Sequence, residues 1–157
     1  MQGTKKGVAA TVLIVDDSMF IVEGLVALLG KYYRALSATG GDECLRILDT
    51  EIPDVIVLDI LMEPMDGWET LARIKGNPAT QHIPVLLFSA KKITPEEAEA
   101  NRNWIRDLVV KPVNPRELVK AIDRILEREQ QSRAVISSWS RSGVSRETID
   151  EYLALST

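Results

Sequence analysis

The sequence predicts an α/β domain in which a doubly wound parallel sheet carries helices on both faces. Three observations carry that prediction. Short apolar runs alternate with segments of helical spacing, the runs are continuously apolar, and most end at a turn residue or an acid. Parallel strands are covered on both faces, so they read as unbroken apolar runs. Their alternation with helices is the pattern of successive βα units. The chain has 157 residues, 45% of them hydrophobic, enough for one domain with a real core and a modest extension.

Residues 1–10 read as a frayed, weakly basic lead-in. Thr11–Val15 is the first strand and runs into Asp16-Asp17. The stripe Ile21, Leu25, Leu28, Leu29 predicts a helix, and the weaker run Arg34–Thr39 a strand ending at Gly40-Gly41. Cys44, Leu45 and Leu48 form a second stripe, entered through Asp42. Asp54–Asp59 (DVIVLD) is a strand ending in an acid, and a helix follows Gly67 with Trp68, Leu71, Ala72 and Lys75. Pro84–Phe88 ends at Ser89. Thr94-Pro95-Glu96-Glu97 is a helix start, with threonine as N-cap, proline at the first helical position and glutamate placed to close a capping box. Asp107–Val110 ends at Lys111-Pro112. Asn114-Pro115-Arg116-Glu117 repeats the helix-start grammar ahead of Leu118, Val119, Ile122 and Ile125. The polar stretch 128–133 (REQQSR) marks the expected end of the main domain, giving units 10–128 and 129–157. The second unit carries about one helix, with Ser145 as N-cap and Val144 and Ile149 at the two positions of a hydrophobic staple.

Composition excludes several function classes. The formal net charge is −4, and the acids and bases are mixed, unlike the basic face of a nucleic-acid domain. From 128 onward four arginines face four acids, and one predicted helix is too little for a helix-turn-helix unit, so no DNA-binding unit is expected. Cys44 is the one cysteine and His82 the one histidine, which excludes an intramolecular disulfide, C-x-x-C chemistry and multi-histidine zinc sites. No apolar run suits a signal peptide or a membrane span. A cytoplasmic protein is expected. Cys44 reads as a core residue, His82 as a solvated loop residue, and Met62, Met65, Trp68 and Trp104 as packing.

In a doubly wound sheet, ligands bind outside the carboxyl ends of the strands. Those ends carry Asp16 and Asp17, Asp59, Ser89 and Lys111. Each alone is an ordinary loop or cap residue; four strand ends delivering them to one edge make a site. Three clustered carboxylates repel one another unless a cation joins them. Their hard oxygens suit Mg²⁺. Lysine and serine can meet phosphoryl oxygens, and an aspartate can accept a phosphoryl group as nucleophile.

These segments resemble the receiver domain of two-component response regulators, over roughly residues 10–128. The residues that carry the likeness are LIVDDS (13–18), VIVLDILMEPMDGWE (55–69), PVLLFSAK (84–91) and LVVKP (108–112). The resemblance implies a CheY-like single-domain receiver with a flavodoxin-like five-stranded sheet in the order 2-1-3-4-5. It implies Asp59 as phosphoacceptor, with Asp16, Asp17, Asp59 and the backbone carbonyl of Leu61 holding Mg²⁺. Ser89 takes the hydroxyl switch position, Lys111 the phosphate-pairing position, and the Lys111–Pro112 bond is cis. A sensor histidine kinase would be the donor, and a downstream protein the listener. The protein would catalyse only its own phosphorylation and slow dephosphorylation. Leu61 and Lys91, two residues beyond Asp59 and Ser89, sit where receivers tune that lifetime.

The sequence departs from the family pattern in three places. Proline stands at 64 instead of at Glu63, Leu108 holds a switch position commonly aromatic, and Asn103-Trp104 replace a small Ala-Gly pair. The rival readings are a receiver-like interaction module that never carries phosphate, an aspartyl phosphatase and a flavin carrier. The phosphatase lacks its second acid, since Leu61 stands there, and the loop after the first strand is acidic where a flavin phosphate would sit. In the extension, Val135, Ile136 and Trp139 and then Ile149, Tyr152 and Leu153 could form a helical hairpin. Its apolar stripe needs a surface, since a helix of about ten residues is marginal alone. A disordered tail is the plain alternative; of the two ordered readings, a homodimer through the extension is slightly favoured over docking on the same chain.

Overall fold

A computed structural model describes residues 9–90, 92–112 and 114–155. Residues 1–8 of the 1–10 lead-in and Lys91 lie outside the described residues. Strands β1 (Thr11–Val15), β2 (Arg34–Ala38), β3 (Val55–Leu58), β4 (Val85–Ser89) and β5 (Asp107–Val110) form one parallel sheet in the order β2-β1-β3-β4-β5. Helices α1 (Met19–Leu29), α2 (Gly41–Leu48), α3 (Gly67–Lys75), α4 (Pro95–Asn101) and α5 (Pro115–Arg141) follow the strands in turn, and α6 (Arg146–Leu155) comes last. The sequence predicts each strand to within about a residue at its ends, the usual uncertainty of element boundaries.

Alternate side chains of each central strand enter two apolar layers. Val12, Ile14, Val55, Val57 and Leu86 pack with Leu29 of α1 and Leu118, Ile122 and Ile125 of α5. Leu13, Val15, Ile56, Leu58 and Leu87 pack with Cys44 and Leu48 of α2 and Leu71 and Ile74 of α3. Each fully buried aliphatic side chain contributes about 1.5–3 kcal/mol. Cys44 is one of these core residues, and burial pushes its thiol up to about 12.

Side-chain caps open α1, α3, α4 and α5, whereas α2 begins at Gly41 behind Gly40 with no side-chain cap, and Asp42 lies inside its first turn. Ser18 Oγ accepts from the Ile21 N–H, and Asp66 Oδ1 from the Glu69 N–H. Thr94 and Glu97 form a reciprocal capping box, and Asn114 Oδ1 accepts from the Arg116 N–H. These bonds satisfy backbone donors that the first helical turn leaves open.

Two features differ from the sequence expectation. The polar stretch 128–133 does not interrupt the chain: α5 runs through it for 27 residues. Arg, Glu and Gln are good helix formers, so a loss of apolar residues there changes solvation and not conformation. Coverage of the sheet is also incomplete. Helix α4 buries no side chain, and Leu108 and Val110 of β5 are 38% and 48% exposed. The sequence of α4, PEEAEAN, offers little apolar surface to bury.

Helix α5 ends in a Schellman motif. Gly143 adopts φ 85°, the left-handed conformation that a β-carbon disfavours. The Val144 N–H then donates to Trp139 O and the Gly143 N–H to Ser140 O. The chain reverses, Ser145 Oγ accepts from the Thr148 N–H, and α6 returns along α5. Trp139 meets Tyr152 edge-on at 4.8 Å between ring centroids. Ile149 is 2% exposed, so the α6 stripe docks on the same chain.

Candidate functional site

The carboxyl ends of β1, β3, β4 and β5 meet at one edge because their register is nearly level. Val15 lies opposite Leu58, Leu58 opposite Leu87, and Ser89 opposite Val110. One residue further on, the Asp59 N–H still donates to Val15 O and the Asp16 N–H to Ala38 O. The sheet hydrogen bonds thus hold the backbone of both acids after the strands have ended.

The side chains converge there. Asp16, Asp17 and Asp59 each offer a carboxylate oxygen, and these atoms lie within 4.8 Å of one another. Asp16 and Asp59 are buried, 3% and 5% exposed, while Asp17 faces solvent. Lys111 Nζ donates to Asp16 Oδ2 at 2.7 Å and stands 3.5 Å from Asp59 Oδ2. It also lies 4.9 Å from the centre of the Phe88 ring, a cation–π contact that holds the ammonium at this end of the sheet. The Ser18 N–H donates to Asp16 Oδ1, the Leu61 N–H to Asp59 Oδ1 and the Glu63 N–H to Asp17 Oδ2.

One ammonium does not balance three carboxylates. Burial, and then the neighbouring Asp16 charge, raise the Asp59 pKa; Lys111 and the Leu61 N–H oppose that rise. A divalent cation between the acids would favour the ionised, nucleophilic form. The hard-oxygen donor set and its excess negative charge fit Mg²⁺, whose preference is for carboxylates, water and a phosphoryl oxygen.

Ser89 closes β4 fully buried, and its carbonyl accepts from the Lys111 N–H at 3.0 Å. Leu61 is exposed at the lip of the site. Leu108 lies on β5, two residues before the strand ends. The Lys111–Pro112 bond is cis, as the resemblance implies, and Glu63–Pro64 is cis as well. Met62 and Met65 are buried, while Trp68 packs at the edge of the α2–α3 layer. His82 is exposed. Beside Lys111 lies an apolar cavity of about 410 Å³ between α1 and the ends of β4 and β5, where Phe20 is largely exposed.

Two residues contribute contacts that their sequence positions did not reveal. Gly67 begins α3 against the end of β3: a β-carbon there would lie 2.3 Å from Asp59 O and 2.5 Å from Ile60 Cα. Its N–H donates to Ile60 O at 2.8 Å, so the helix start and the Asp59 loop share one backbone contact. In sequence Gly67 marks the start of the helix and closes the 55–69 segment at its usual spacing from Asp59, but its close approach to the Asp59 backbone is not visible there. Phe88, under Lys111, reads in sequence as one more strand residue.

The family model for the response regulator receiver domain matches residues 12–123. Protein PilH of Pseudomonas aeruginosa is 31% identical over 118 residues, covering 74% of this chain and 98% of that protein. A probable cyclic di-GMP phosphodiesterase of Vibrio cholerae is 38% identical over 104 residues, 66% of this chain; the chain spans 24% of that protein's length. Among solved structures, the N-terminal domain of a response regulator receiver protein from Methanoculleus marisnigri is 49% identical with a TM-score of 0.64, covering 74% of this chain and 96% of that one.

Proposed function

The chain belongs to the response regulator receiver family, and from that premise we propose that Asp59 accepts a phosphoryl group from the phosphohistidine of a sensor histidine kinase. The observation that carries the reading is the buried Asp59 carboxylate, 3.5 Å from Lys111 Nζ and within 4.8 Å of the Asp16 and Asp17 oxygens. In the transfer an Asp59 carboxylate oxygen attacks phosphorus. The P–N bond to the donor imidazole breaks, its electron pair leaves on nitrogen, and an acyl phosphate forms.

Asp16, Asp17, Asp59 and the Leu61 carbonyl would hold Mg²⁺, which when bound supplies positive charge to the phosphoryl oxygens. Lys111 lies close enough to exchange its Asp16 contact for a phosphoryl oxygen. Ser89, at the adjacent strand end, would donate its hydroxyl to another. The new charge biases the loops around the site, and a partner reads that change. With Leu108 at the usual aromatic position, the readout would involve the Ser89 loop without a ring rotation. The apolar cavity beside Lys111, with Phe20 exposed on α1, gives an arriving kinase a face next to the acceptor.

We assign the receiver unit to residues 10–128 and the extension to 129–157, with reaction on itself the only catalysis. The exchange would take place in the cytoplasm, a setting that suits a chain with one cysteine, the buried Cys44, and hence no intramolecular disulfide. Among the described residues, no helix is long and apolar enough to cross a membrane. Self-association through the extension would use the exposed Tyr152 and Leu155. A full-length chain that stays monomeric in light scattering at high concentration would exclude it. Acetyl phosphate with Mg²⁺ should add one phosphoryl group by intact mass, and Asp59→Asn should abolish the gain. Equal labelling of that variant would refute the acceptor assignment, and no labelling of the native chain would favour an interaction module without phosphate.

A further inference from the structure

The opposite end of the sheet holds a second, differently charged cavity. It measures about 860 Å³ and lies where the α3–β4 and α4–β5 connections meet the α5–α6 hairpin. Five cations line it: Lys75, Arg102, Arg106, Arg128 and Arg133, with Glu129 the one carboxylate. The chain as a whole carries −4, so this is a local reversal of sign.

The pairing leaves positive charge over. Glu129 is engaged by Arg106 at 3.6 Å, and Arg102 reaches Glu99 outside the cavity at 3.7 Å. Arg128 and Arg133 have no ion pair among the described residues. Lys75 is partly buried, and its ammonium donates to the carbonyls of Gln81 and Ile83 at 3.0 and 2.6 Å. Burial, and next the Arg106 guanidinium, lower its pKa to about 8. Like charges gathered in a concave site repel, and an anion relieves that cost.

We propose that this cleft binds a nucleotide, with the arginines on its phosphates and the base against Trp104. Four of the five cations are arginines, whose planar forks take phosphate oxygens in pairs where lysine offers a point charge. Inorganic phosphate would use the guanidinium groups alone. The remaining lining suits a planar ring: Trp104 is 38% exposed, and Ile105, Ile136 and Leu153 supply apolar wall. Stacking on an indole favours any base. The volume falls within the roughly 300–1,000 Å³ of small-molecule sites. The extension is one wall of the cleft, which gives the hairpin a role that packing alone does not. The proposal is independent of the phosphoacceptor reading, because Asp59 lies at the other edge of the sheet.

The test is calorimetric titration of the full chain with GTP and with ATP, in EDTA so that the acidic site takes no metal. At least one nucleotide should bind with Kd below about 1 mM, and pyrophosphate and guanosine should each bind at least about tenfold more weakly. The double variant Arg128→Ala/Arg133→Ala removes two exposed, unpaired side chains from α5, so its circular dichroism should be native. It should weaken nucleotide binding at least about tenfold. Trp104→Leu should weaken nucleotide binding and leave pyrophosphate unchanged. The proposal is overturned if neither nucleotide binds at millimolar concentration, if the double variant binds as the native chain does, or if pyrophosphate binds as tightly as the nucleotides.

Discussion

Replacing Gly67 by alanine tests how the end of β3 at Asp59 is built. The added β-carbon would sit 2.3 Å from Asp59 O and 2.5 Å from Ile60 Cα, where 3.0 Å is the closest approach that real β-carbons show. The helix start and the Asp59 loop must therefore separate by roughly 0.7 Å, and both neighbours are backbone atoms with no rotamer to escape into. Overpacking of this kind costs about 1–3 kcal/mol, and the rigid neighbours argue for the upper part of that range. Alanine recovers less than about 1 kcal/mol through helix propensity. The net loss is about 2 kcal/mol, which lowers the melting temperature of a domain this size by about 4–8 °C. Gly24, in mid-α1, is the internal control, since a β-carbon there meets nothing within 4 Å. Gly24→Ala should stabilise by about 0.5–1 kcal/mol. Thermal unfolding of the three proteins reads both effects. Acetyl phosphate labelling should be slower in Gly67→Ala and native in Gly24→Ala. A Gly67→Ala protein that melts at or above the native temperature would refute the close-approach argument.

Three further expectations follow from single residues. Lys75 has a folded pKa of about 8 against an ordinary 10.5, so the unfolded chain binds more protons between those values and stability should rise with pH across the window. Urea unfolding from pH 8 to 10 should show that slope in the native chain and a flatter one in Lys75→Met; identical slopes would contradict the burial argument. Leu61 is apolar at the lip of the site and cannot orient a water for in-line attack, so Leu61→Asn should hydrolyse its acyl phosphate several-fold faster, as followed by mass. A slower or unchanged decay would remove that role. Trp139→Ala deletes the edge-on contact with Tyr152, which is worth about 0.5–1.5 kcal/mol, and amide exchange over residues 146–155 should speed accordingly. Unchanged protection would mean that Ile149 alone holds α6.

The strands, the caps of α4 and α5, and the gathering of Asp16, Asp17, Asp59 and Lys111 were legible in the sequence. Each depends on a short stretch of chain: an apolar run bounded by turn residues, a threonine three residues before a glutamate, a charged group one step past a strand. A parallel sheet then carries all such strand ends to one edge, so local reading was enough to assemble the site. Other features needed the folded chain. The polar stretch 128–133 marks a change of solvation that reads in sequence as a boundary, whereas in the folded chain α5 continues through it and its last turns meet α6. Gly67 resembles any glycine at a helix start until the Asp59 backbone lies against it. The basic cleft draws Lys75, Arg102, Arg106, Arg128 and Arg133 from three separate stretches of chain, each balanced by nearby acids in sequence. Local propensity acts over a few residues, whereas close approach and charge accumulation depend on distances that exist only after distant segments have packed.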